Sequence, residues 1–341
     1  MSLLDTRSYY KPFSYPWAFE AYEMQQKMHW LPHEVSLADD VKDWNERLSG
    51  AEKNLLTQIF RFFTQGDVDV AKGYVEEFMP IFPAPELRMM MASFANMEAV
   101  HTHAYSLLLD TVGMPEAEYQ AFYEYQEMLD KHCYVESFAP TSEVYRTKEE
   151  RLREIAKTLA VYSAFTEGLQ LFSSFAILLN FQRYGKMKGM CQIVTWSIRD
   201  ESLHVESMIR LFREFINENP TIWTDDFKKE IYDICREMVR LEDNFIDLAF
   251  AQGGIEGLSA QEVKQYIRYV ADRRLLQLGL KPNYGAKENP LGWLDWILNG
   301  SEFANFFETR ATEYAKGSLT GSWEDVWNPR NDQSYIIAPT V

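Results

Sequence analysis

Glu98 with His101, in NMEAVHTHAY, and Glu201 with His204, in RDESLHVES, repeat one arrangement: a carboxylate and an imidazole three residues apart. On an α-helix such residues share a face, so each pair can direct an oxygen and a nitrogen at one cation. Two pairs in one chain imply a two-metal site.

Two further acids stand in apolar or small-residue stretches, Asp67 in FFTQGDVDVAKGY and Glu167 in VYSAFTEGLQLFSSFAILLNF. A lone buried carboxylate is costly, so Glu167 in particular requires a partner. Asp67 precedes Glu98 by 31 residues and Glu167 precedes Glu201 by 34, similar helix-loop-helix distances that divide the ligands into two related halves. One acid from each of two helices, plus Glu-x-x-His from each of two others, is the ligand set of ferritin-like di-iron and di-manganese carboxylate proteins. Carboxylate oxygens and imidazoles suit iron or manganese, two ions per chain, and the absence of cysteine from the set argues against a structural zinc site. Asp69 lies two residues past Asp67 and faces elsewhere on a helix, but the sequence leaves it open as an alternative. His103, two past His101, is expected to point away from the metals. His29, His33 and His132 read as surface or core histidines.

Long helices must carry these residues. The apolar periodicity is helical nearly throughout and predicts long helices at 49–79, 84–112, 147–183, 188–218 and 223–251, with shorter ones at 16–31, 115–131, 259–278 and 302–315. Capping boxes open three of them: Ser49 with Glu52, Thr147 with Glu150, and Ser259 with Glu262. The expected fold class is an all-α, ferritin-like bundle over residues 1–316, followed by a flexible C-terminal tail, 317–341, with Trp323, Trp327 and Tyr335 as aromatic anchors.

Composition narrows the function further. At 341 residues and 46% hydrophobic, the chain can bury one large core. Its net charge of -17 argues against nucleic-acid or anionic-membrane binding, which needs clustered Lys and Arg. The 3 cysteines form no close-spaced pair, so a disulfide framework is not indicated. No leader pattern and no long uncharged apolar run is evident, and a cytoplasmic setting is expected.

With Asp67, Glu98, His101, Glu167, Glu201 and His204 in place, the chain resembles the small, radical-generating subunit of class I ribonucleotide reductase. The resemblance runs from about Trp30 to the tail through FFTQGD, NMEAVHTHAYSLLLDT, RDESLH, NPLGWLDW and FFETRATEY. It implies that metals react with oxygen or a reduced oxygen species and leave an oxidant near the site. Tyr105, one turn after His101, matches the position the family uses for a tyrosyl radical. Many members carry phenylalanine and isoleucine where this chain has Leu171 and Ser197; a Ser197 hydroxyl near the pocket can retune Tyr105 or leave the oxidising equivalent on the metal pair. Trp30 and Asp200 match a hydrogen-bonded path for coupled electron and proton movement through His101, and Tyr335 is the candidate exit tyrosine. The resemblance also implies a large subunit that holds the nucleotide site and redox cysteines, a homodimer, and in some cases a flavoprotein activator. The rival readings are an oxygen-activating di-metal oxidase with its own organic ligand, and a ferritin-type metal-storage protein.

Overall fold

Helix starts follow local capping chemistry where the sequence supplies it. The computed structural model describes residues 2–139 and 147–297. The helix expected at 302–315, the tail from 317, and Trp323, Trp327 and Tyr335 lie outside the described residues. In chain order the helices are α1 (Pro16–Met28), α2 (Ala38–Lys42), α3 (Gly50–Lys72), α4 (Met79–Ile81), α5 (Pro85–Val112) and α6 (Ala117–Ala121). They continue with α7 (Gln126–Glu136), α8 (Lys148–Leu159), α9 (Leu171–Arg183), α10 (Lys188–Glu218), α11 (Asp225–Ala249) and α12 (Ala260–Gln277). No strand occurs among the described residues. All three capping boxes form, at the starts of α3, α8 and α12.

Two of the expected long helices contain π-helical stretches. The 49–79 segment runs as α3, a π segment Gly73–Phe78, and α4; the 147–183 segment runs as α8, a π segment Ala160–Gln170, and α9. Every residue from Thr158 to Phe181 is buried, as an all-round apolar helix requires. This central rod carries Glu167.

Three expectations need correction. The 115–131 helix is broken, because Tyr125 is extended (φ -105°, ψ 119°), and the chain restarts as α7. The break lets Phe122 pack edge-on to His132 and brings the buried Lys131 ammonium to Glu242 at 2.6 Å, against the Phe62 ring at 3.6 Å. These tertiary contacts outweigh local propensity. The first helix stops at Met28 rather than 31, since Leu31, ahead of Pro32, is held extended. Trp30 therefore turns off the helix end into the core, where it is 3% exposed. The 223–251 helix is shorter at both ends, its start set by the Thr224 side chain accepting from the Phe227 N–H at 3.2 Å.

α10 begins without a cap of its own. Asp40, in α2, supplies it from across the fold, accepting from the N–H groups of Gly189 and Met190, each at 2.8 Å. That approach requires a glycine, because a Cβ at Gly189 would lie 2.6 Å from the Ser36 carbonyl oxygen. In the compact unit Met1–Leu294, α3 lies along α5, α10 along the π segment and α9, and α1 spans α5 and α10. The core therefore sits between the two helix pairs that carry the ligands.

Candidate metal centre

The structure brings all six predicted ligands together from α3, α5, the central π segment and α10. Asp67, Glu98 and His101 form one group able to hold a cation, and Glu98, Glu167, Glu201 and His204 form a second. Glu98 belongs to both. The exposures of the six run from 0% to 2%, so the cluster is shut away from solvent.

Both imidazoles turn Nδ1 inward. His101 Nδ1 lies 3.3 Å from Glu201 Oε1 and 3.5 Å from Glu98 Oε2, and His204 Nδ1 lies 2.9 Å from Glu98 Oε1. Despite these approaches, His204 Nδ1, both oxygens of Glu98, and Asp67 Oδ2, Glu167 Oε2 and Glu201 Oε2 lack an aligned hydrogen-bond partner. Buried polar atoms are nearly always paired, so this many orphans converging on one point fit metal coordination.

The protonation pattern points the same way. Burial, then the charge of Glu98, raises Asp67 well above the carboxylate range; burial, then Glu201, does so for Glu167. Burial works against an anionic Glu98, but His101 and His204 hold it down to about 2. Burial likewise opposes charge on the imidazoles, yet the facing carboxylates override it, raising His101 and pushing His204 up to about 10. Without metal the cluster thus favours the protonated forms of Asp67, Glu167 and both histidines, so that protons supply positive charge where a cation would.

The outer nitrogens are held by a network. His101 Nε2 donates to Asp200 Oδ2 at 3.2 Å, and the same oxygen accepts from the Trp30 indole N–H at 2.8 Å. His204 Nε2 donates to Gln25 Oε1 at 3.0 Å, and Gln25 Nε2 donates to Asp200 Oδ1 at 3.2 Å. Such outer partners fix ring orientation and ligand basicity. Gln25, on α1, had no sequence signal, since its partners lie far along the chain.

Tyr105 is 1% exposed, and its hydroxyl donates to Ser197 Oγ at 3.3 Å; its ring lies 4.7 Å from Phe63. Ser197 therefore does place a hydroxyl in this pocket. Leu171 is buried at the junction of the π segment and α9. Asp69 is excluded from the cluster, bonded instead to His132 Nδ1 at 2.6 Å and Gln65 Nε2 at 2.8 Å. His29, His33 and His103 are exposed, and His33 stands edge-on to His103.

Two further residues border the site without having been singled out. Tyr74, on the π segment after α3, is buried, and its hydroxyl is turned toward the Glu167 carboxylate. Arg274, on α12, donates from Nε to the Gly168 carbonyl at 2.7 Å, beside Glu167 in the π segment.

A bundle that is all-helical over the described residues, with two buried carboxylate–histidine groups sharing one glutamate, has the ferritin-like architecture and is compatible with a di-metal carboxylate site. The family model "Ribonucleotide reductase, small chain" matches residues 7–290, and the chain belongs to that family. A probable ribonucleoside-diphosphate reductase small subunit of Invertebrate iridescent virus 6 is 46% identical, over 96% of this chain and 99% of its own. The ribonucleoside-diphosphate reductase subunit beta of Chlamydia pneumoniae is 32% identical, over 92% and 91%. Among solved structures, the ribonucleotide reductase R2 subunit from Clostridium botulinum shares the fold at a TM-score of 0.78 and 24% identity, covering 87% of this chain and 94% of its own. The dimanganese(II)-NrdF of Streptococcus sanguinis does so at 0.70 and 22%, over 83% and 97%. The chain is thus a ribonucleoside-diphosphate reductase small subunit, which implies a large-subunit partner, and its relatives support neither rival reading.

Proposed function

We propose that Asp67, Glu98, His101, Glu167, Glu201 and His204 hold two metal ions, iron, manganese or one of each, and that the oxidising equivalent made there is stored beside them for the large subunit. The observation that carries this reading is the convergence of orphaned donor atoms from all four elements on one buried point, with Tyr105 on one flank and the Asp200–Trp30 network on another. When bound, the metals supply the oxidant by reacting with oxygen or a reduced oxygen species.

The chain's own residues do the remainder. The carboxylates neutralise cation charge, Glu98 ties the two halves, and the closed core keeps water and stray reductants away. Tyr105 stores the equivalent by losing an electron and its hydroxyl proton, with Ser197 as hydrogen-bond partner; otherwise the metal pair stores it. Asp200 joins Trp30 to His101, so charge leaving along this path has a bonded route with a proton acceptor at its middle. Tyr335 continues the path to the large subunit. A homodimer in the cytoplasm, with a flavoprotein activator where manganese is used, completes the reading. No described helix is long and apolar enough to cross a membrane.

The test is metal analysis with EPR after loading with iron or manganese and an oxidant, in wild type and Tyr105→Phe. Two metals per chain and deoxyribonucleotide formation with the large subunit support the reading. A spectrum and activity unchanged by the substitution would remove Tyr105 from it.

A further inference from the structure

We propose that Tyr74 is a second oxidisable tyrosine of this centre, standing on its Glu167 side as Tyr105 stands on its Asp67 side. The proposal rests on the di-metal reading above. Tyr74 follows Asp67 by seven residues, two helical turns, and so returns to the same face of the chain. It is the second residue of the π segment Gly73–Phe78, whose wider turn adjusts where the ring points. Gly73 allows that turn to pack closely, since a Cβ there would lie 2.8 Å from the Tyr162 ring.

The surroundings of Tyr74 are those of a protected redox group. It is 1% exposed, and its ring meets Phe94 edge-on at 5.8 Å, His204 at 6.1 Å and Phe78 at 6.4 Å. Its hydroxyl is turned toward the Glu167 carboxylate, whose Oε2 has no other aligned partner. Phenylalanine would pack here as well, without placing a hydroxyl beside a carboxylate. A tyrosine here is therefore poorly explained by packing alone.

A phenol in an apolar pocket cannot release an electron by itself, because the cation left behind would be unsolvated. Its proton must leave too. At Tyr74 the O–H bond would break, with the bound and oxidised metals as the one-electron acceptor and the Glu167 carboxylate as the proton acceptor, leaving a neutral phenoxyl. Tyr105 is provided for differently: its hydroxyl donates to Ser197, a group that can relay a proton but not keep it, with Asp67 as the neighbouring carboxylate. Of the two phenols, Tyr74 has the carboxylate facing it directly. The rings of Phe78 and Phe94 keep water from the product.

The experiment uses full-length protein loaded with iron(II) or manganese(II) and oxidised with dioxygen or hydrogen peroxide. In Tyr105→Phe a tyrosyl EPR signal is expected to persist, and it is lost in Tyr74→Phe/Tyr105→Phe at unchanged metal content. Placing 3-fluorotyrosine at position 74 in the Tyr105→Phe protein should add a fluorine splitting to that signal. Phenylalanine keeps the ring packing, so metal content and thermal melting verify that each variant is folded and loaded. No tyrosyl signal in loaded Tyr105→Phe, a signal surviving the double substitution, or one unsplit by the fluorine overturns the proposal. Failure of the di-metal reading looks different: no metal uptake by wild type, or no deoxyribonucleotide formed with the large subunit.

Discussion

Asp200 is the residue on which most of the outer network depends. It accepts from Trp30, His101 and Gln25 while buried at 0% exposure, so Asp200→Ala strands three donors at once. The expected loss is about 3–5 kcal/mol, read by denaturant unfolding. Trp30→Phe is milder: metal content stays at the wild-type level while ribonucleotide reduction with the large subunit falls to background, and retained turnover would remove Trp30 from the path. Protonation gives a third expectation. The metal-free fold binds the charged form of His204, so that contribution is complete below the ordinary value of 6.5 and is lost as pH rises through about 10. Asp67 and Glu167 have the same sign, favouring the protonated form and giving up stability as pH rises. Melting of metal-free protein should therefore fall between pH 6.5 and 10, and by less in the metal-loaded form. The six candidate ligands were legible in the sequence as a cluster: helix spacing aligns Glu98 with His101 and Glu201 with His204, and Asp67 and Glu167 stood out as acids in apolar or small-residue stretches. Gln25 and Tyr74 were not: a glutamine whose partners lie 175 and 179 residues away carries no local pattern, and Tyr74 is aimed by a π turn.

At the scale of elements, the π segment Ala160–Gln170 decides where Glu167 stands. Its backbone is braced from outside, with the Arg274 guanidinium on the Gly168 carbonyl. A Cβ at Gly168 would lie 2.8 Å from Arg274 Nε and 3.0 Å from the Ser163 carbonyl oxygen. Gly168→Ala should cost roughly 1–3 kcal/mol and weaken metal retention, checked by melting and by metal analysis after dialysis against chelator. An alanine variant that melts and holds metal like wild type would show the brace to be dispensable. The helices themselves were readable from their caps and periodicity, as Ser49, Thr147 and Ser259 illustrate. The π stretches were not, since one extra residue per turn leaves composition unchanged. The start of α10 was legible at 188, but its cap was not, because Asp40 is 149 residues distant from Gly189.

For the whole molecule, the proposed partnership predicts that a chain ending at Gly317 keeps its metals yet no longer associates with the large subunit in sedimentation or pull-down. Undiminished binding would sink the role of the tail. The family and the layered helices were within reach of the sequence, because the ligand motifs and the bundle that holds them are one pattern. How α1 joins the rest was not. Gln25 has one end that donates and one that accepts, and both are committed, to Asp200 and to His204. Turning its carboxamide over would set donor against donor at one end and acceptor against acceptor at the other. Asp200 thereby fixes Nε2 of His101 as a donor by direct contact and Nε2 of His204 at one remove, leaving each Nδ1 as the atom that would hold a metal. The two halves thus share a common electronic reference, so that a change in charge at Asp200 is felt at both imidazoles together.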